Sequence, residues 1–484
     1  MGLFQGPAAE RMLERRVLSA RQGKGLVMSV RSGTATASPE PTKAFEPEAR
    51  GSHVGRVVVG SLAAGLVAAL ILPFLPVTMA DEDFATAMVL VGFALGWALL
   101  VVLSTSFTNQ PQRWAVAPAI FMALSAALVL LAPDSWMSAL GLLWPPALVV
   151  LVVWVWARAR RQLYSPTRGW LLNPVLVILA IFAVGGAYEA IGHATAPAVT
   201  MHGQLVDVGP YRLHLECTGS RGPTVVLEPG LGGSAASMGL IGPAVARNSR
   251  VCVYDRAGRG WSDPAASPPD GVQIATDLHA LLGRAHVPGP YVLVGHSFGG
   301  LYVRTYAAMY PAQVAGLVLV DSTGAHSTPA SRPETGSYSV LKHASSLIAS
   351  TSRLGIGRLI AKSAFPSLPP RYRDDARTTA ATGMEMGGFL DEFGVANRSE
   401  SEAGELRTFG DKPLIVLTAD LGNSPGWMVE QDKTAALSTN SVHRVVPGST
   451  HDSLVSNPDH AAAVIQAAQD VVDAVRTGAP ISQP

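Results

Sequence analysis

The pattern Gly-His-Ser-Phe-Gly-Gly places Ser297 among small residues. An apolar run that begins at Val292 precedes it, and residues compatible with a helix follow it. A serine held in a tight turn between a strand and a helix needs neighbours without bulk, here Gly295 and Gly299, because the two elements approach closely. The sequence therefore predicts a nucleophile elbow with Ser297 at its tip.

Short apolar runs alternate with helix-length segments on both sides of this turn. Residues 204–208 and 211–217 alternate in period two around Gly209-Pro210, which predicts a hairpin. The later runs are 224–228, 251–254, 291–294, 314–320, 414–417 and 443–446. This succession predicts a mostly parallel sheet covered by helices on both faces. Residues 322–411 interrupt it with helical patches, and we expect them to form a cap over the site.

With these elements around Ser297, residues 201–484 resemble an α/β-hydrolase of the serine hydrolase branch. The resemblance implies a mostly parallel eight-stranded sheet with a helical cap. It also implies that Ser297 attacks ester-like substrates and forms an acyl-enzyme. The apolar segment that precedes residue 201 lies outside the resemblance.

Two loops carry further parts of the resemblance. Glu228-Pro-Gly-Leu-Gly-Gly233 is similar to the family's oxyanion loop, with Glu-Pro in place of the usual histidine, and implies Leu231 and Phe298 as amide donors. Tyr254-Asp-Arg-Ala-Gly-Arg-Gly-Trp-Ser262 is similar to a family loop without a catalytic member. We interpret Asp255 and Arg256 as pairing groups that shape the wall of the site.

The resemblance also implies a general base and an acid. A serine hydroxyl needs a neighbouring base, and His451, in Pro447-Gly-Ser-Thr-His-Asp452, follows the last predicted strand, where the family places its histidine. His296 adjoins the nucleophile, but we expect its side chain to point off the turn. The acid that orients the base is Asp321, after the run 314–320, with Asp420 as the alternative.

Cys217 and Cys252 lie on two strands that this fold places side by side and antiparallel. The resemblance therefore implies a cross-strand disulfide between them, with two buried thiols as the alternative. Two cysteines are too few for a disulfide scaffold or a cysteine-rich metal site. We expect no metal and no organic cofactor.

The composition indicates that part of the chain lies in lipid. Of 484 residues, 48% are hydrophobic and 15% are charged, which is unusual for a purely soluble protein. Lys and Arg (36) nearly balance Asp and Glu (35), so charge gives no argument for a nucleic-acid partner.

Residues 57–193 contain apolar runs of the length that crosses a bilayer. About 20 helical residues span a hydrocarbon core about 30 Å thick. Five runs meet or approach this length: 57–79, 84–103, 115–131, 137–156 and 171–191. We therefore predict a transmembrane region of about five helices.

Charges around these runs orient the region. Residues 1–56 are basic and poor in periodic apolar positions, which predicts a disordered arm. Asp81, Glu82 and Asp83 follow the first run, and Arg158, Arg160 and Arg161 follow the fourth. This alternation predicts a cytoplasmic amino terminus and an odd number of crossings of the cell membrane. The hydrolase-like part would then be extracytoplasmic.

Together these features predict a multi-pass, membrane-anchored serine hydrolase. Its substrate would be a small-molecule or lipid-like ester, and its other partner the lipid bilayer. Two alternatives remain open from the residues alone. One is an acyltransferase with the same triad, and the other is a non-catalytic membrane protein whose hydrolase-like domain binds a ligand.

Overall fold

The structure, a computed structural model, describes residues 54–75, 81–162, 166–196, 199–325 and 335–482. The predicted basic arm, 1–56, lies outside the described residues except for its last three positions. The boundaries predicted for the regions 57–193, 201–484 and 322–411 stay predictions.

Five helices of the described residues are long and apolar enough to cross a membrane, judged by length and composition. At most 33% of each apolar stretch is buried inside the protein. The helices are α1 (Val54–Ile71), α2 (Glu82–Phe107), α3 (Val116–Leu131), α4 (Asp134–Gln162) and α5 (Pro166–Thr195). The prediction of about five apolar helices agrees with this bundle.

Two features of the bundle follow from single residues. The first helix ends at Ile71, earlier than the predicted run, and a 3₁₀ turn follows, Leu72–Phe74, in which Pro73 has no amide hydrogen to donate. Helices α1 and α2 cross at glycines. A Cβ atom on Gly65 would lie 2.6 Å from the Cα atom of Gly96, so only small residues allow this contact.

An eight-stranded sheet follows the bundle, with strand order β1-β2-β4-β3-β5-β6-β7-β8 among the described residues. Its strands are β1 (Gln204–Asp207), β2 (Arg212–Thr218), β3 (Thr224–Glu228), β4 (Arg250–Tyr254), β5 (Tyr291–His296), β6 (Val314–Val320), β7 (Leu414–Leu421) and β8 (Ser441–Thr450). Strand β2 pairs antiparallel with β1 and β4, and the other pairs are parallel. This confirms the predicted hairpin and the mostly parallel sheet.

Helices cover both faces of the sheet and bury the central strands. The covering helices are α6 (Gly242–Val245), α7 (Gly271–Arg284), α8 (Phe298–Met309), α14 (Trp427–Ala435), α15 (Ser453–Ser456) and α16 (Pro458–Thr477). Val292 and Val294 of β5 enter one hydrophobic core, and Leu293 between them enters the other. A strand buried on both faces is therefore apolar in a continuous run, as Val292, Leu293 and Val294 of β5 are.

A helical cap lies between β6 and β7. Its helices are α9 (Thr335–Ala349), α10 (Ile356–Ser363), α11 (Pro370–Ala380), α12 (Gly383–Gly394) and α13 (Ala396–Ala403), with a 3₁₀ segment, Ser350–Leu354, between the first two. The cap contacts the sheet domain through α11 and α13 and through ion pairs from α12, and it contacts the helical bundle through α9, α10 and the 3₁₀ segment. It therefore lies against both parts of the molecule.

Candidate active site

Ser297 sits at the sharp turn between β5 and α8. Its backbone has φ 55° and ψ −123°, a combination that residues other than glycine rarely adopt. A Cβ atom on Gly295 would lie 2.5 Å from the carbonyl oxygen of Gly299, and one on Gly299 would collide with the backbone of Glu228. The glycines of the motif are therefore required by the close approach of strand and helix.

His451 and Asp321 meet at the same edge of the sheet. His451 directly follows β8, and Asp321 directly follows β6, with φ 43°. The Nδ1 atom of His451 lies 2.6 Å from Oδ2 of Asp321. The other oxygen, Oδ1, accepts hydrogen bonds from Trp427 Nε1 at 2.8 Å and from the Ala419 amide at 3.2 Å. The carboxylate is therefore fixed in orientation.

This pairing sets the protonation chemistry of the site. The hydrogen bond to Asp321 raises the pKa of His451 above its usual value. Burial opposes ionisation of Asp321, but the hydrogen bonds from His451 and Trp427 outweigh it and lower the pKa of that carboxyl. Because a carboxylate only accepts hydrogen bonds, Nδ1 carries the proton and Nε2 is left as the basic nitrogen.

Asp420, the alternative acid, has other partners. Its Oδ2 atom accepts a hydrogen bond from the Gly448 amide at 2.9 Å, and its own amide donates to the Ser449 hydroxyl at 3.4 Å. It thus joins β7 to the end of β8. Of the two candidate acids, the structure brings Asp321 into contact with His451.

The predicted oxyanion loop lies against the nucleophile. A Cβ atom on Gly230 would be 3.0 Å from the Cβ atom of Ser297, so the backbone that leads to Leu231 passes directly beside the serine. Phe298 is the first residue of α8, and the first amides of a helix have no partner within it. Both predicted donors are therefore carried by backbone that adjoins Ser297.

Arg256 binds the oxyanion loop through ion pairs and hydrogen bonds. Its guanidinium pairs with Glu228 at 2.6 Å and with Glu392 of the cap at 2.8 Å, and all three side chains are almost fully buried. It also donates to the carbonyl oxygens of Pro229 and Gly230, both at 2.9 Å. This agrees with the interpretation of Arg256 as a pairing group.

Cap helix α12 contributes two carboxylates to the same region. Glu392 accepts a hydrogen bond from the Gly232 amide at 3.0 Å. Glu385 pairs with Arg259 at 2.6 Å, and Arg259 donates to the carbonyl oxygen of Gly232. Burial opposes ionisation of Glu392, but the charges of Arg256 and Arg259, together with the hydrogen bonds from Arg256 and the Gly232 amide, outweigh it and lower the pKa of that carboxyl. Sequence reasoning missed both glutamates, although their spacing of seven residues on one helix face was a usable signal.

The prediction that the His296 side chain points off the turn is wrong. Its side chain is buried, and its ring lies 4.8 Å from the ring of His451, measured between centroids. Its Nε2 atom is 3.2 Å from the carbonyl oxygen of His451. Burial lowers the pKa of His296 to about 4, so the ring is neutral near pH 7. It packs beneath the base instead of pointing away.

Asp255 pairs within its own domain. It lies 2.7 Å from His214 and accepts a hydrogen bond from the Ala235 amide at 2.6 Å. Cys217 and Cys252 face each other in the register of β2 and β4 and form a disulfide. Among the residues that the structure describes, no three His, Cys, Asp or Glu side chains are grouped to hold a metal ion.

The match to a family model agrees with this architecture. Residues 223–458 match the family model described as alpha/beta hydrolase fold. A thermophilic esterase from Thermogutta terrifontis is 24% identical, with a TM-score of 0.42, over 57% of this chain and 100% of the esterase.

Curated relatives match over shorter stretches. An uncharacterized protein from Schizosaccharomyces pombe is 34% identical over 37% of each chain. An uncharacterized vacuolar membrane protein from Saccharomyces cerevisiae is 38% identical over 15% of this chain and 12% of the relative. The matched stretch is well under half of the length of either relative.

Proposed function

We propose that this chain, whose carboxyl-terminal part is an α/β-hydrolase domain, is a membrane-anchored serine hydrolase of ester-like bonds. One observation carries the proposal. A serine in a strained elbow and a His451–Asp321 pair at 2.6 Å follow three strands of one parallel sheet, at the same edge. This is the combination that activates a hydroxyl for attack on a carbonyl.

The proposed reaction has two steps. Ser297 Oγ attacks the acyl carbon while Nε2 of His451 takes its proton, and the same proton then goes to the leaving alcohol. Water attacks the acyl-enzyme in the second step, and His451 again takes a proton and returns it to Ser297. The amides of Leu231 and Phe298 stabilise the oxyanion of both intermediates, and removing one such donor typically costs about 10²–10³ in rate.

We propose a lipid-like ester as the substrate class. The support is that α12 runs from the helical bundle to the oxyanion loop. Its first residue, Gly383, lies against Glu82 of the bundle, and the ring of Phe389 would lie 2.5 Å from a Cβ atom on Gly232. Between these positions the helix rises by about 9 Å, at about 1.5 Å per residue. Phe389 and Phe393 are both exposed. An apolar acyl chain that leaves the bilayer would meet these rings beside the oxyanion loop.

The proposed location is the cell membrane, with the hydrolase domain on the extracytoplasmic side. The disulfide between Cys217 and Cys252 supports this side, because disulfides persist mainly in oxidising compartments. Protease added outside intact cells should cleave the domain, and cleavage from the cytoplasmic face alone would contradict the orientation.

A fluorophosphonate probe tests the chemistry directly, because it reacts with activated serines. We expect it to label the wild-type protein and the variant Ser267→Ala, which changes an exposed serine, but not Ser297→Ala. Thermal unfolding of all three proteins checks that they are folded. Absence of labelling in folded wild-type protein would contradict the enzyme and favour the ligand-binding alternative.

A further inference from the structure

Cap helix α10 buries its small residues and exposes its large aliphatic side chains. Gly357 and Ala361 face inward, and a Cβ atom on Gly357 would lie 2.5 Å from the carbonyl oxygen of Ala381. Ile356, Leu359 and Ile360, at helical spacing i, i+3 and i+4, face outward and are 40%, 64% and 61% exposed. An amphipathic helix in water has the opposite arrangement, with its large aliphatic side chains against the core.

The segment around α10 lies along the last turns of α5. A Cβ atom on Gly185 would be 2.7 Å from the carbonyl oxygen of Leu354, and one on Gly192 would be 2.6 Å from Cδ of Arg358. Between them, Glu189 pairs with Arg358 at 2.7 Å. These α5 positions fall on one face of the helix, so the segment follows it over two turns.

The length of α5 gives the depth of this contact. Its 24-residue apolar stretch rises about 36 Å, against about 30 Å for a hydrocarbon core. Glu189 lies six residues before Thr195, and thus about 9 Å from the end of the helix. The exposed face of α10 therefore lies near the boundary between lipid chains and headgroups.

We infer that α10 is an interfacial membrane helix, whose Ile356, Leu359 and Ile360 insert into the outer edge of the bilayer beside α5. The outward aliphatic side chains are then removed from water, and burial of apolar surface is favourable. Lys362, on the remaining side of α10, is exposed and has a stem long enough to reach the headgroups. The cap thus contacts lipid as well as the site.

This inference rests on the membrane anchoring in the proposed function but not on the proposed chemistry. The sequence has two cysteines, both in the disulfide, so one introduced cysteine can be labelled selectively without reduction. We would attach an environment-sensitive fluorophore to Leu359→Cys in the full chain. The background is Ser297→Ala, reconstituted in phosphatidylcholine vesicles, so the readout is independent of catalysis.

Two matched positions calibrate the measurement. Val184→Cys lies on the outward face of α5 and reports lipid, and Thr378→Cys lies on the exposed face of α11 and reports water. We expect the probe at 359 to emit at shorter wavelength than the probe at 378. Lipids spin-labelled near the headgroup should quench it, and aqueous iodide should not. Ile360→Cys should give the same result.

Iodide quenching at 359 and 360 equal to that at 378, with the probe at 184 in lipid, would overturn the inference while leaving the anchor intact. A water-exposed probe at 184 would overturn both the anchor and the inference. Neither outcome would bear on fluorophosphonate labelling of Ser297, so failure of the chemistry and failure of this inference are distinguishable.

Discussion

The cap is held on its two sides by ion pairs of very different character. Toward the sheet domain, Glu385 and Glu392 pair with Arg259 and Arg256, and these side chains are almost completely buried. Toward the helical bundle, Arg353 pairs with Glu82 at 2.9 Å, contacts Asp83, and is itself one-third exposed. The same chemical groups are thus used in two dielectric environments.

The difference in burial determines how strongly each ion pair holds the cap. A charge in a buried network cannot leave its partner without remaining desolvated, so removing one partner costs about 3–5 kcal/mol. An exposed pair can exchange its partner for water and contributes about 0–1 kcal/mol. We therefore expect α12 and the oxyanion loop to move as one unit, whereas the cap's ion pairs with the bundle are individually weak.

The pair His451–Asp321 lies between these extremes, because its carboxylate is buried and its imidazole is 41% exposed. We expect Asp321→Asn to have the largest effect on activity, lowering kcat by about 10⁴, as in triads where the base is left in the wrong tautomer. Asp420→Asn is the matched control, and we expect it to keep most of the activity. Equal losses in both variants would contradict the assignment of the acid.

The pH profile sharpens the same comparison. The base must be neutral to act, and its hydrogen bond to Asp321 raises the pKa of His451, so the acid limb of kcat/KM should lie above pH 6.5, the usual histidine value. Removing the carboxylate removes the cause of the rise, and the limb of Asp321→Asn should therefore move to lower pH. An unmoved limb would mean that another group sets it.

The next largest effect should come from breaking the buried ion pairs between α12 and the sheet domain. In Glu392→Leu, Arg256 loses its cap partner and the Gly232 amide loses its acceptor. We expect the free energy of unfolding to fall by about 3–5 kcal/mol. We also expect kcat and kcat/KM to fall together, because the oxyanion loop acts mainly in the transition state. Denaturant unfolding and steady-state kinetics measure the two effects.

Glu405→Leu is the control for that variant, since Glu405 is exposed and only weakly paired. We expect it to change stability by less than about 0.5 kcal/mol. If Glu392→Leu behaved like this control, the buried pairs would not fix the oxyanion loop.

Much of the site could be predicted from the sequence, because its signals are local. The elbow is specified by glycines within two residues of Ser297, and His451 lies at the end of the last strand. The sequence favoured Asp321 but kept Asp420 as the alternative, since the register of β7 against β8 shifts between Ala419 and Leu421. Such a bulge changes where a strand ends without a clear mark in the sequence.

The cap was less predictable for a different physical reason. The sequence predicted helices over 322–411 but not which faces pack where. Glu385 and Glu392 resemble ordinary surface residues until α12 is placed against Arg256 and Arg259. Such buried pairs join elements that are 126 to 136 residues apart, so tertiary packing alone brings them together.

The smallest effects should come from the exposed pairs. We expect Arg353→Ala to lower the free energy of unfolding by less than about 1 kcal/mol, because its guanidinium is one-third exposed and water and salt can replace the lost carboxylate partners. Denaturant unfolding at low and high salt measures this, and the difference from wild type should shrink as salt screens the pair. A loss as large as that of Glu392→Leu, unchanged by salt, would mean that both sides of the cap are equally fixed. The ion pairs to the sheet domain and those to the helical bundle would then be equally strong. The cap would form a rigid connection between the bilayer and the oxyanion loop.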